Sequence, residues 1–416
     1  MSLPMSRKYA WYVLGLLTIV NLVNYVDRLV VVGMFDDLRA HFHATDSELG
    51  LLWMAFFTVH AVLMIPLGFA ADRWDRRKVL ALGVIVWSLA TLGSAYAAGF
   101  ASLVLLRGMV GVGEAAYLPI SNSLLSETFR PEEKARTLGI FNAGMFIGAC
   151  LGVGLSARLG FPLAFEVVAV PGLVLGILAW GLRVTPRRAD YAIRPPATLK
   201  SMYVGAFRSV NLRSLRWMIG SGILISFAAG GYINWFVDFI IRYKGMDKGT
   251  ATLVTGGITL TAGSLGVIAG GLLADRWQRR RREGRTLVIA VGFFLATLFG
   301  AAAILIDRGW GFFVPGWLLM FFLPFYNGPM GAVIDDVVDD EHAATAQATI
   351  SFMLHLFGTA PGGFLVGLAS SAWGLKNAML IPTAATLGAG LLALVASRYV
   401  AADMDAKTGR ITRRAA

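Results

Sequence analysis

Two apolar stretches of the chain carry side chains that a membrane helix tolerates only for a reason. NLVNYVDRLVV holds Asn21, Asn24, Asp27 and Arg28, and LLRGMVGVGEAAYLP holds Arg107, Glu114 and Tyr117. A charge at the centre of a membrane helix costs about 2.5–3.5 kcal/mol on insertion scales, so four unpaired ones would cost on the order of 10 kcal/mol. They must face a cavity or one another. Asp27 and Glu114 have the chemistry of a protonation switch, because burial favours the neutral carboxyl while a nearby arginine favours the charged one. Arg107 and Glu114 are seven residues apart, which puts them on one helix face and about 10 Å apart along its axis. That is long for a direct ion pair. It leaves room for a partner from the first stretch, or for an anionic substrate group gripped by Arg107. Asp27 and Arg28 are adjacent, point about 100° apart and so serve different partners. The competing reading is a buried network that only locks the two helices together.

Other candidates are weaker signals. Tyr232, Asn234, Trp235 and Asp238 add polar and aromatic groups to a later apolar run, with Asn234 and Trp235 candidates for a cavity wall. Phe313, Trp317, Phe321 and Phe325 recur every fourth residue and end at Tyr326, Asn327 and Pro329. An acyl chain could lie along that stripe, although a core or lipid-facing stripe has the same spacing. His60 and His355 lie within apolar runs, where a packed histidine competes with a substrate or proton role. His41 and His43 flank Phe42 and make a poor metal site, and the single cysteine, Cys150, excludes an internal disulfide and cysteine-based metal centres. No cofactor or metal is expected. Nothing matches GxxxxGK[ST], so energy must come from a gradient rather than from ATP. No nucleophile, base and orienting group fall at a recognisable spacing, which argues against an enzyme.

The elements that must position these residues follow from composition. With 56% hydrophobic and 15% charged residues and a mean hydropathy of +0.66, the chain reads as an all-α, polytopic membrane protein. Runs long enough to cross a core about 30 Å thick fall at 10–33, 48–71, 79–98, 102–126, 137–158 and 164–183, then at 215–241, 249–273, 286–305, 312–336, 345–369 and 377–398. Twelve helices are expected, as a bundle of six over 1–183, a cytoplasmic linker at 184–214, a second bundle of six over 215–398 and a cytoplasmic tail at 399–416. After Arg7 and Lys8 the first run is long enough to span, and no small-residue cleavage site ends it. The net charge of +12 sits in short loops. With the N-terminus inside, those loops put most of the Lys and Arg on the cytoplasmic side, which sets orientation and argues against nucleic acid as a partner.

One motif occurs twice, half a chain length apart. GFAADRWDRRK at 68–78 returns as GLLADRWQRRR at 271–281, so Gly68, Asp72, Arg73 and Arg77 have counterparts in Gly271, Asp275, Arg276 and Arg280. Such a repeat means two copies of one unit. Asp335, Asp336, Asp339, Asp340 and Glu341 form an acidic patch on the same side, either a partner for the basic turn or a solvated loop. The linker carries Arg187, Arg188, Arg194, Lys200, Arg208 and Arg213, interrupted by Pro186, Pro195 and Pro196. It reads as a strap near anionic headgroups or as a plain tether. Gly108, Gly111 and Gly113, and then Gly144, Gly148 and Gly152, thin two helices for close approach.

The duplicated motif resembles the loop between the second and third helices of the major facilitator superfamily, with Asp75 and Gln278 standing where that family has glycine. The resemblance implies two pseudo-symmetric six-helix bundles, a central site and alternating access by rocking. It also implies a cytoplasmic gate formed by Gly68, Asp72, Arg73, Arg77, Asp275 and Arg276. NYVDR, RGMVGVGEAAY and DFIIRYKGM followed by GVIAGGLLADR resemble the Spinster family. That family is associated with export of lysophospholipids and sphingosine-1-phosphate. By position it implies Asp27 and Glu114 as the protonatable pair and Arg28 and Arg107 as contacts to an anionic headgroup. Asn24, Tyr117, Asn234, Trp235, Phe321 and Tyr326 complete the candidate binding residues. The expected protein is a monomeric, proton-coupled secondary transporter of an amphipathic anion such as a lysophospholipid, working by symport or antiport in a bacterial-type inner membrane with both termini cytoplasmic. The rivals are an organic anion:proton symporter for a small hydrophilic substrate and a non-transporting receptor or scaffold.

Overall fold

The computed structural model describes residues 6–130, 133–183, 210–306 and 309–415, without the side chains of Phe69, Asp72, Arg73, Ser126, Lys134, Ala135, Asp340, Glu341, Ala344 and 410–415. The linker cations before residue 210 lie outside the described residues. Twelve helices are long and apolar enough to cross a membrane: α1 (Arg7–Phe42), α2 (Asp46–Gly68), α3 (Arg76–Ala95), α4 (Phe100–Leu125), α5 (Arg136–Leu159), α6 (Leu163–Trp180), α7 (Arg213–Lys244), α8 (Lys248–Gln278), α9 (Gly284–Leu305), α10 (Trp310–Val337), α11 (Thr345–Trp373) and α12 (Leu375–Gly409).

Helix ends follow local chemistry. Ser6 caps α1 by accepting from the Tyr9 N–H, and Asp75 caps α3 by accepting from the Arg77 N–H. The helix containing α2 runs on through Arg73, so Asp75, in the slot where the superfamily has glycine, serves as the cap that starts the next helix. Gly160 ends α5 and Gly245 ends α7, both at positive φ (67° and 72°), a conformation that suits glycine at a helix C-terminus.

The structure divides into two units, the first built on α1 to α6 and the second on α7 to α12, except that Asp46–Gly50 groups with the second unit and Lys248–Gly256 with the first. Within the first unit, α5 lays its glycines on the backbone of α1. A Cβ at Gly144, Gly148 or Gly152 would come 2.8, 2.3 or 2.6 Å from the carbonyl oxygens of Thr18, Leu22 and Val26. The second unit repeats the device, since a Cβ at Gly358 or Gly362 of α11 would meet the carbonyl oxygens of Ile223 and Phe227 of α7 at 2.5 and 2.3 Å. Small residues thus set the closest helix approach in both halves.

Several helices are irregular. α4 is broken between Glu114 and Tyr117, where Ala115 and Ala116 form a turn. In the second unit α7, α8 and α11 contain π-helical turns at Ile240–Lys244, Thr259–Gly263 and His355–Thr359, and α10 tightens to a 3₁₀ turn at Leu323–Tyr326. The final helix is continuous from Leu380 to Ala415, beyond the span drawn to residue 398. Its extension is tied to the second unit. Asp403 accepts from the Ser214 N–H at 2.9 Å, Arg282 pairs with Asp405, and Lys407 Nζ donates to the Asp335 carbonyl at 2.7 Å.

Candidate functional site

The four charges of α1 and α4 come together inside the first unit as two crossed ion pairs. Arg107 Nη1 donates to Asp27 Oδ1 at 2.9 Å, and its Nη2 donates to the Asp27 carbonyl at 3.2 Å. Arg28 donates from Nη2 and Nε to Glu114 Oε2 at 2.6 and 3.2 Å. Adjacent residues on α1 therefore reach different ends of the seven-residue interval on α4, and the space between Arg107 and Glu114 is filled from α1.

Glycines of α4 let α2 and α3 come close around these pairs. A Cβ at Gly111 would lie 2.5 Å from the Phe56 carbonyl of α2, and one at Gly113 would lie 2.5 Å from the Gly83 carbonyl and 2.6 Å from the Trp87 nitrogen of α3. With α2 and α3 drawn against α4, Thr91, one turn beyond Trp87, reaches Asp27 and donates to its Oδ2. Thr91 carries no signal in the sequence, because a threonine in an apolar helix is ordinarily satisfied by its own preceding turn.

The two pairs differ in how completely they are satisfied. Both side chains of the Arg107–Asp27 pair are 2% exposed, and both Asp27 oxygens accept a hydrogen bond. The Arg28 side chain is 12% exposed, and Glu114 is fully buried with no partner at Oε1 among the described residues. The Arg28 guanidinium stands over the rings of Tyr25, Phe56 and Phe57 at 4.9, 5.1 and 5.5 Å, within cation–π range. Asn24 is buried, accepts from Arg28 Nη2 at 3.5 Å and has no partner for its Nδ2 among the described residues. Tyr117 donates to Asn21 Oδ1, and Asn21 Nδ2 donates to the Phe141 carbonyl at 2.7 Å, which joins α4, α1 and α5.

The remaining candidates lie elsewhere. In the second unit Trp235 is fully buried and donates to the Gly363 carbonyl at 2.7 Å, while Asn234 is buried with Nδ2 unpartnered among the described residues. The aromatic stripe of α10 packs within its own unit. Phe321 stacks on Trp317 at 5.4 Å and meets Phe325 at 5.3 Å. Trp317 Nε1 donates to Thr261 at 3.1 Å, and Phe325 fills the notch left by Gly270 and Gly292. Tyr326 lies beside Phe293, with ring centroids 5.8 Å apart. His355 bonds Thr359 one turn on, and His60 stacks on Phe56.

At the duplicated motif, Gly68 has open space around its missing Cβ, and Arg77 pairs with Asp75 and donates to the Leu182 carbonyl. The side chains of Asp72 and Arg73 lie outside the described residues. In the second copy Asp275 pairs with Arg285, which also holds Asp336 at 2.5 Å, and Arg276 is exposed. Within the acidic patch, Asp336 is thus met by Arg285 and Asp335 by Gln347; Asp340 and Glu341 lie outside the described side chains.

Chemically, a buried pair made of a partly open guanidinium and a half-satisfied carboxylate can trade partners. An anion replaces the carboxylate on the arginine, and a proton replaces the arginine on the carboxylate. Among the described residues no cluster of His, Cys, Asp and Glu could hold a metal ion.

The model of the family described as Major Facilitator Superfamily matches residues 17–360. Among curated relatives, the sphingosine-1-phosphate transporter SPNS2 of Xenopus tropicalis is 30% identical over 86% of this chain and 73% of its own length. Protein spinster homolog 1 of Mus musculus is 27% identical over 88% and 74%. A crystal structure of a bacterial homolog to the human lysosomal transporter Spinster superposes with a TM-score of 0.83 over 96% of this chain and 99% of that one, at 23% identity. A crystal structure of the nucleoside transporter NupG reaches 0.76 at 14% identity, over 93% of this chain and 99% of that one. These two likenesses show the twelve-helix fold of an integral, multi-pass membrane protein. The chain belongs to the major facilitator superfamily and, within it, to the Spinster-like family of secondary transporters, which are not enzymes.

Proposed function

We propose that this transporter carries a lipid-like amphipathic anion together with protons, and that Arg28 meets the anionic group while Glu114 carries the proton. The observation that carries the reading is the unequal satisfaction of the two ion pairs. Arg107 and Asp27 hold each other in a closed set of bonds, whereas Arg28 is partly open and Glu114 keeps one oxygen without a partner among the described residues. An anion that draws Arg28 away leaves a buried carboxylate without its countercharge, and a proton is the substitute. By linkage, protonating Glu114 frees Arg28 for the anion, so proton and substrate favour each other, which is symport. The rings of Tyr25, Phe56 and Phe57 around Arg28 suit a substrate whose charge sits beside apolar surface, and a relative is named for sphingosine-1-phosphate. Phe321, half-buried on the aromatic stripe of α10, is proposed as a contact for the acyl chain. Asn24, whose Nδ2 has no partner among the described residues, and Tyr117 line the same site. Asn234, Trp235 and Tyr326 are proposed as substrate contacts in the second unit, and the protein as a monomer.

The domain division at 1–183, 184–214, 215–398 and 399–416 belongs to the same reading. So do a cytoplasmic membrane location with both termini inside, supported by the basic loops, and a gating role for the duplicated motif. Asp72→Asn is expected to raise the accessibility of engineered cysteines from the cytosol in a background without Cys150.

Proteoliposome uptake tests the core of the proposal. Wild-type protein should take up a lysophospholipid or sphingosine-1-phosphate faster when a proton gradient is imposed, and a small hydrophilic organic acid should not compete. Glu114→Gln should still exchange substrate across the membrane but ignore the gradient. Arg28→Ala should lose substrate binding, with Arg28→Lys a poor rescue because the planar fork is gone. A Glu114→Gln protein that keeps the wild-type response to the gradient would falsify proton coupling through this residue.

A further inference from the structure

We infer that Thr91 is a positioning residue that withdraws Asp27 from proton exchange and leaves Glu114 as the exchanging carboxyl. This rests on the proton-coupled reading above. The site holds two buried carboxylates on one network, yet they are not equivalent. Asp27 has a donor on each oxygen, Arg107 from α4 on Oδ1 and Thr91 from α3 on Oδ2, with a second Arg107 nitrogen on its own carbonyl. Glu114 has all its bonds on Oε2. The charged groups facing Asp27 are Arg107 and Glu114 from α4 and Arg28 from α1. α2 brings the Phe56 ring, with His60 stacked on it, and α6 brings Phe165, 5.8 Å from the Arg107 guanidinium.

A hydroxyl that donates to a carboxylate oxygen favours the ionised form, and here it occupies the oxygen that Arg107 does not hold. To take a proton on Oδ2, Asp27 would have to turn the Thr91 hydroxyl from donor to acceptor while giving up a countercharge buried beside it. Glu114 pays no such double cost, since Oε1 is open. Three helices meet to build this difference. Arg107 cannot leave Asp27 without exposing a buried charge, and Thr91 closes the second oxygen.

The test is the pH dependence of gradient-driven uptake in Thr91→Val, which keeps the shape of the side chain and removes the hydroxyl. Asp27 then resembles Glu114 in having one oxygen unpartnered. The limiting slope of log rate against pH should steepen from about one proton toward about two, while Thr91→Ser should restore the wild-type profile. Thr91→Ala serves the same purpose if the valine variant does not insert. A merely structural threonine would lower the yield or the rate and leave the shape of the profile alone. A wild-type slope in both the valine and alanine variants would therefore overturn the inference. Glu114→Gln, run alongside, separates the two levels. If it loses gradient dependence while Thr91→Val keeps the wild-type profile, the role of Thr91 fails and proton coupling stands; if it keeps gradient dependence, the coupling itself fails.

Discussion

Arg28 and Arg107 have the same side chain and nearly the same depth, but the structure sets them unequal tasks. Removing Arg107 strands Asp27 as a buried charge held only by Thr91 and by its neighbour Arg28, and breaking such a pair typically costs about 3–5 kcal/mol. Removing Arg28 strands Glu114, which can relieve the burial by taking a proton on its open oxygen. Arg107→Ala should therefore unfold at a clearly lower temperature than Arg28→Ala in detergent, while Arg28→Ala should lose more substrate affinity. Equal melting temperatures for the two variants would count against this division of labour. Much of this was legible in the residues themselves. Four charges in two apolar runs had to face a cavity or one another, and adjacency on a helix sent Asp27 and Arg28 to different partners. The pairing was not legible, because the seven-residue interval on α4 admitted either a partner from α1 or a substrate group. Only the fold decides it, by bringing the side chains of Asp27 and Arg28 across to α4. Thr91 was not legible at all, since its bond to Asp27 depends on how near Gly113 lets α3 approach.

At the scale of helices, the glycine periodicity of α5 announced close packing but not its partner. The structure supplies α1, and with it a steep prediction. A Cβ at Gly148 would lie 2.3 Å from the Leu22 carbonyl and 3.0 Å from the Tyr25 Cβ, and neither backbone nor Cβ can yield as a long side chain can. Gly148→Ala should push α5 off α1, at a cost of about 1–3 kcal/mol or more for overpacking, and should disturb uptake because Tyr25 and Arg28 sit on the displaced face. Gly154→Ala, on the same helix with nothing within 4 Å of the added Cβ, should be neutral or slightly stabilising, as alanine favours helix. Thermal unfolding of the two variants side by side checks this, and a Gly148→Ala protein as stable as Gly154→Ala would remove the packing argument. The break in α4 has its local cause in Pro119, which has no N–H for the Ala115 carbonyl and crowds it, and Pro361 stands in the same relation to Phe357 in the π turn of α11, while the π turns of α7 and α8 had no local signature. Ala115 and Ala116 are strong helix formers, so the turn after Glu114 comes from Pro119, four residues after Ala115. π turns of this kind are often found at functional sites.

Across the whole molecule, a duplicated motif and a six-plus-six pattern of apolar runs were enough to reveal two copies of one unit. The copies have diverged where chemistry is done. α1 and α4 bury Asp27, Arg107 and Glu114, whereas in the equivalent positions of α7 and α10 the chain has glycine and tryptophan, and the buried charges of α7, Asp238 and Lys244, lie elsewhere on that helix. The last helix diverges as well. The polar, basic tail beyond residue 398 continues α12, because no proline interrupts it and its alanine, methionine and lysine residues favour helix. The extension then finds partners at the start of α7, in the turn between α8 and α9, and at the end of α10. Asp403 meets the start of α7. Its carboxylate accepts from the Ser214 N–H in the first turn of α7, where helix amides lack internal partners and the helix dipole favours negative charge. Such an interaction is worth about 0.3–1 kcal/mol, and the exposed Arg282–Asp405 pair adds at most about 1 kcal/mol and is weakened by salt. Removing residues 399–416 should lower the melting temperature by a few degrees, at about 2–4 °C per kcal/mol for a domain this size. Asp403→Asn alone should account for part of the loss, and added salt should shrink the difference between full-length and shortened protein. If the shortened protein melts with the full-length one at low salt, the extension is helical but does not brace the second unit.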